Sequence, residues 1–231
     1  MPLSFTAPPV PTPARPVGAL LGDALRRPGG RRAVSVLSIV LFLAGVAMFA
    51  FPVGTDVYGG YLQGNLQERF DDPEVVAEYA ERRIPVGDGL TTMRIPKLDV
   101  EVLVVEGTTP AALRAGAGHY VGSPLPGEAG NVAIAGHRTT YGRPLNRLDE
   151  LVEGDVVELE TPFAVYTYKA VGGFGGHDNP WVVPPTDYSV IAPEAGKSLL
   201  TLTTCHPKGS ARQRLIMRFE LVGSEQVRPA V

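Results

Sequence analysis

Cysteine occurs once in the 231 residues, at Cys205, which excludes an internal disulfide framework and any metal site built from several thiolates. Histidine occurs four times, and no HExxH or comparable spacing joins any of them into a recognisable metal motif. The glycine-dense run Gly172-Gly173-Phe174-Gly175-Gly176 lacks the Lys-Ser/Thr ending and following helix of a phosphate cradle, so it reads as a flexible surface loop or a mobile groove wall. Acidic residues outnumber basic ones after the N-terminus. Residues 1–53 carry five arginines and one aspartate, whereas the rest has a net charge of −7, which argues against a nucleic-acid partner needing a basic stripe.

Long apolar runs are also nearly absent. The exception is 33–53, which holds 21 residues without a charge and would be roughly 31 Å long as a helix, enough to cross a bilayer. Arg26, Arg27, Arg31 and Arg32 precede it, so the positive-inside rule predicts a cytoplasmic N-terminus and an exported remainder. The run exceeds a usual signal-peptide core and is followed by no clear small-residue cleavage site, so an uncleaved single-pass anchor in the cell membrane is expected. Residues 1–32, rich in Pro, Gly, Ala and Arg, read as a disordered basic cytoplasmic tail, and 54–90 as an extracytoplasmic connector. Within the connector, Asp72-Pro73 predicts the start of a short helix reaching Ala80, with Asp72 at the N-cap.

From Thr91 the pattern changes to short apolar runs broken by Gly and Pro. Met93–Ile95, Val100–Val105, Val132–Ala135, Asp155–Glu160, Val165–Val171 and Ser189–Ile191 read as strands, with brief helices at Thr109–Ala115 and Pro144–Leu151. This predicts a mainly β domain, a barrel or sandwich, over 91–223, with 224–231 as a C-terminal tail. The last two strands carry the chemistry. Ser198–Thr204 delivers Cys205 at its tip, and Arg214–Leu221 alternates Leu215, Met217, Phe219 and Leu221 against Arg214, Ile216, Arg218 and Glu220. If the two form a hairpin, Cys205 and Arg214 share one end of the sheet, and a thiol beside a fixed cation can begin a covalent site.

His137 follows a strand ending at Ala135 and, with a ring titrating near neutral pH, is a natural acid/base partner for the thiol. His206 adjoins Cys205 and should therefore point to the opposite face. His119 and His177, in glycine-rich surroundings, are expected to be exposed loop residues. Arg212, in the connecting loop, is a lesser candidate than Arg214 for the cation.

Thr201-Leu202-Thr203-Thr204-Cys205 resembles the TLxTC signature of sortases, the cysteine transpeptidases of Gram-positive cell surfaces. Together with Gly136-His137-Arg138-Thr139-Thr140-Tyr141-Gly142 and the run from Lys208 through Arg214 to Ile216, it is similar to the class E type of actinobacteria, over Met93 to Leu221. The resemblance implies an eight-stranded β-barrel with short helices behind one N-terminal transmembrane helix. It implies Cys205 as nucleophile, His137 as general acid/base and Arg214 as oxyanion stabiliser or substrate orienter, with Tyr120 and Thr204 lining the signal-binding groove. The implied partners are secreted proteins bearing a C-terminal LAxTG- or LPxTG-like signal, a peptidoglycan precursor amine and the lipid bilayer. No acidic cluster matches the calcium site of some class A sortases, so neither a metal nor a cofactor is expected. A pilin-polymerising sortase, another exported cysteine acyltransferase and a catalytically silent surface scaffold are the competing readings; the first lacks a lid motif in 54–90, and the second expects a His-Gly-Cys-Arg run that Thr204-Cys205-His206 does not match.

Overall fold

Strands Ser198–His206 and Gln213–Gln226 pair with each other and with the two ends of one sheet, which closes it into a barrel. A computed structural model describes residues 22, 26–70 and 72–227. In chain order the strands are β1 (Gly89–Ile95), β2 (Val100–Glu106), β3 (Ala117–His119), β4 (Gly130–Ala135), β5 (Val156–Glu160), β6 (Ala164–Ala170), β7 (Gly173–Phe174), β8 (His177–Asp178), β9 (Trp181–Val183), β10 (Ser198–His206) and β11 (Gln213–Gln226). Around the barrel the order is β10-β4-β3-β2-β1-β5-β6-β11, eight strands, and the β10–β11 pairing completes the circuit. The expected eight-stranded barrel is therefore present. β9 lies outside the circuit, on the same side of β11 as β6 but nearer the start of that strand.

Alternation decides what faces inward. Val132, Ile134, Leu200, Leu202, Leu215, Met217 and Phe219 fill the barrel with Met93, Ile95, Val104, Leu145, Leu148, Leu159 and Tyr168. The outward residues of β4, β10 and β11 are Asn131, Thr201, Thr203, Ile216 and Arg218, and they too are buried, beneath the segment between β6 and β10. Asn131 Nδ2 donates to the carbonyls of Val190 and Ala192 (3.2 and 3.1 Å), and its Oδ1 accepts from Thr201 Oγ1 at 2.8 Å. Arg218, 1% exposed, pairs with Glu194 at 3.3 Å, donates to the Val190 carbonyl and lies 3.7 Å above the Phe174 ring. Burial pulls its pKa down to about 10, with Glu194 opposing the fall. These contacts hold 188–194 over the outer face of the barrel.

Several elements differ from the expectations. Ser189–Ile191 belongs to a 3₁₀ turn, Tyr188–Ile191, because Asp187 caps it through the Ser189 amide (3.1 Å); an apolar triplet fits either conformation. The helix expected over Pro144–Leu151 is reduced to a 3₁₀ turn at Leu148–Glu150. The glycine-dense run forms the two-stranded β7–β8 hairpin, turned at Gly175 and Gly176, both with positive φ. The helix Pro73–Ala80 forms with Asp72 in extended N-cap conformation, but that side chain makes no cap hydrogen bond. Thr109 does cap the helix Pro110–Ala115, accepting from the Ala112 amide at 3.2 Å.

Among the described residues one helix, Pro28–Phe70, is long and apolar enough to cross a membrane, and its apolar side chains through Ala50 are largely exposed. It covers residues 28–32 of the expected tail and continues through the first part of the expected connector. From Phe51 the chain forms one unit with the barrel. Residues 1–21 and 228–231, parts of the two expected tails, lie outside the described residues.

Candidate active site

β10 lies between β4, to which it is parallel, and β11, to which it is antiparallel. Thr203 is in register with Ala135, and the chains stay paired past that point: the Gly136 amide donates to the Thr203 carbonyl at 3.0 Å, and Thr204 Oγ1 to the Gly136 carbonyl at 2.8 Å. The next residue on each chain is His137 and Cys205. On the other side, Cys205 is directly opposite Arg214. Neighbouring strands are about 4.8 Å apart and in-register residues share a face, so Arg214 flanks Cys205 on one side, and on the other the chain leaving β4 reaches His137 one residue past the Gly136 contacts with Thr203 and Thr204. Cys205, His137 and Arg214 are all half-buried, which leaves the thiol reachable while its strand is fixed.

The other predicted residues gather around this row. Tyr120 follows β3, its hydroxyl lies 3.3 Å from Thr203 Oγ1, and it is thus two residues from the thiol along β10. Thr204 is buried, and its hydroxyl is committed to the Gly136 carbonyl, so it joins the two strands instead of lining a groove with a free hydroxyl. Arg214 Nη1 donates to the carbonyls of Ala211 and Gln213, both at 3.0 Å, which holds the guanidinium at the mouth of the β10–β11 turn. Arg212 is exposed in that turn.

His206 turns away from the thiol as expected, and its Nδ1 accepts from Arg138 Nη1 at 2.8 Å. Arg138 was not foreseen as a functional residue. It is 3% exposed, donates to the Cys205 carbonyl (3.3 Å) and pairs with Asp149 at 2.9 Å. It thereby ties the chain after His137 to the chain carrying the thiol, and only its position beside His137 hinted at this in the sequence.

His119 overturns its expectation. It is 1% exposed at the end of β3, with Nδ1 2.7 Å from Glu106 Oε2 and Nε2 2.7 Å from Ser123 Oγ. A three-residue strand of Ala, Gly and His is too short to show alternation, so it reads as loop. Carboxylate, imidazole and hydroxyl are in the order of a hydrolytic triad, but Ser123 Oγ also accepts from the Ala133 amide (3.3 Å) and the Ser123 amide is bonded to the Tyr120 carbonyl. The Ser123 hydroxyl is thus held from both sides, and the cluster fastens the turn that follows Tyr120. His177 is exposed, as expected. Among the described residues no group of three or more His, Cys, Asp or Glu could hold a metal ion.

Burial lowers the pKa of His137, and the charge of Arg114, at the end of helix Pro110–Ala115, lowers it further. Its ring is 5.2 Å from that of Tyr141, tilted by 39°. A depressed imidazole pKa keeps the ring neutral further into the acid range, so its contribution to stability is present above the ordinary value of about 6.5 and is lost as pH falls through the folded value. Replacing Arg114 by Gln should raise the His137 pKa toward that ordinary value. Imidazole NMR titration reads this directly, and an unmoved titration would remove Arg114 as a cause.

Comparison with known proteins gives a consistent assignment. A family model described as a sortase domain matches residues 93–222. Sortase SrtE2 of Streptomyces coelicolor is 30% identical over 239 residues, covering 89% of each chain. Sortase SrtE1 of the same organism is 32% identical over 150 residues, 59% of this chain; the chain spans only 41% of that relative's length. Among solved structures, sortase E from Streptomyces avermitilis matches with a TM-score of 0.55 and 35% identity, covering 62% of this chain and 93% of that one.

Proposed function

Because this chain belongs to the sortase family and is of its class E type, we propose that it is a membrane-anchored transpeptidase acting through Cys205, His137 and Arg214. The observation that carries the reading is the double register at β10, with β4 leading to His137 on one side and β11 presenting Arg214 on the other. His137 takes the Cys205 thiol proton, and the thiolate attacks the Thr carbonyl carbon of an LAxTG- or LPxTG-like sorting signal. Arg214 offsets the negative charge that develops on the carbonyl oxygen. As the Thr–Gly C–N bond breaks, His137 gives a proton to the leaving Gly amine, and the Thr acyl group remains as a thioester on Cys205. An amine of a peptidoglycan precursor then attacks the thioester. His137 takes up its proton, the new amide forms and the thiolate is released.

Tyr120, whose hydroxyl meets Thr203 Oγ1, is the proposed recognition residue for the signal. The exposed apolar part of helix Pro28–Phe70 is the proposed anchor, with the arginines before it on the cytoplasmic side and the barrel outside. The substrates are then secreted proteins carrying a C-terminal sorting signal.

The test is cleavage of a fluorogenic LAxTG peptide by the full chain in detergent, with products read by mass spectrometry. Cleavage between Thr and Gly is expected, and added hydroxylamine should divert the acyl group to a threonine hydroxamate. No cleavage of LAxTG or LPxTG peptides, with a thiol that also ignores alkylating reagents, would overturn the reading.

A further inference from the structure

The helix that runs into the barrel unit touches the loop that carries His137. Leu62 and Leu66 pack against the cluster of Val105, Ala112 and Ala115, while Gln63 accepts from the Leu103 amide at 2.8 Å and donates to the Leu103 carbonyl at 3.0 Å. Two turns earlier, Asp56 Oδ1 accepts from the Gly142 amide at 2.9 Å and Oδ2 pairs with Arg143 Nη2 at 2.8 Å. Between these points Gly59 is buried, and a Cβ there would lie 3.3 Å from the Tyr141 backbone. Asp56, Gly59, Gln63, Tyr141 and Gly142 border a cleft of about 330 Å³.

The loop is held where it does not go by itself. Tyr141, Gly142 and Arg143 have φ of 54°, 73° and 49°, three successive residues in the left-handed region that side chains disfavour. Such a conformation persists when its surroundings hold it, and Asp56 binds two of the three residues. The first of them, Tyr141, has its ring against His137.

We propose that Asp56 is a positioning residue for His137, acting from the N-terminal helix through the Tyr141–Arg143 turn. This rests on the catalytic reading of His137 given above. Removing the carboxylate frees the turn and lets Tyr141 leave the imidazole, so His137 samples unproductive positions while Cys205, on its own strand, is unaffected.

The experiment uses the full chain in detergent and the fluorogenic LAxTG peptide. Asp56→Ala should lower kcat about tenfold with KM changed less than about twofold, since misplacing a proton donor affects the reacting step more than binding. The rate of Cys205 alkylation by iodoacetamide should stay that of the unaltered chain, and the acid limb of the pH–rate profile should move upward as His137 loses its cover. Asp56→Asn keeps an acceptor for the Gly142 amide and should restore part of kcat. Gly59→Leu, which pushes on Tyr141 while leaving the carboxylate, should reproduce the loss. An unchanged kcat in Asp56→Ala, or a loss of kcat with an unmoved pH profile, would overturn the proposal. An unaltered chain that cannot cleave the peptide would instead overturn the catalytic reading itself.

Discussion

Cys205→Ala should abolish peptide cleavage, with a fall in kcat of at least about 10⁴-fold, while binding of the sorting-signal peptide changes little. The methyl group leaves β10 paired with β4 and β11, because the register depends on backbone bonds and on Thr204, not on the thiol. His137 and Arg214 stay beside an empty position. They could at most assist water, and the thioester on which transfer to an amine depends cannot form. Cys205→Ser should fall almost as far, since a hydroxyl is a much weaker nucleophile than a thiolate near neutral pH. Peptide hydrolysis with and without an acceptor amine, followed by mass spectrometry, checks both. A Cys205→Ala variant that still transferred the acyl group would require another nucleophile.

The second large effect concerns stability. His119→Ala should cost about 3–5 kcal/mol, because it strands the Glu106 carboxylate in the interior without its partner. Glu106 is 7% exposed and lies 2.7 Å from the imidazole. The Ser123 hydroxyl loses its bond at the same time, so the turn following Tyr120 loosens too. Replacing both Glu106 and His119 with Leu should recover most of the loss, since a buried pair exchanged for apolar groups leaves no uncompensated charge. Urea unfolding midpoints of Glu106→Leu, His119→Leu and the double variant form the cycle, and a double variant as unstable as His119→Leu alone would mean that burial of the carboxylate is not the cause.

How much of this was legible in the sequence depended on the range of the interaction. Cys205 and Arg214 could be matched because they lie next to the end and the start of adjacent strands, and β10 and β11 are long enough for alternation to declare their faces. His137 could be named from a strand ending at Ala135, although the parallel pairing that brings it to Cys205 spans 68 residues and carries no local signal. Asp56 and Arg138 were invisible for the same reason: their partners are 86 and 67 residues away, and an isolated charge reads as solvated. His119 failed differently. Its strand is three residues long, and the glycines around it, which suggest a loop, are there because β3 is packed closely; a Cβ at Gly118 would clash with the Gly107 carbonyl.

The strand order also imposes a timetable. A chain leaves the ribosome from its N-terminus, so β10 and β11 are the last strands of the barrel to be made. Until then, β4 and β6 are the two bare edges of an open sheet, each lacking one neighbour. The proposed nucleophile is therefore delivered by the same element that shuts the barrel, and His137 follows the edge strand which that element covers. The proposed site is complete only once the last two strands are paired, because Cys205 and Arg214 both belong to them.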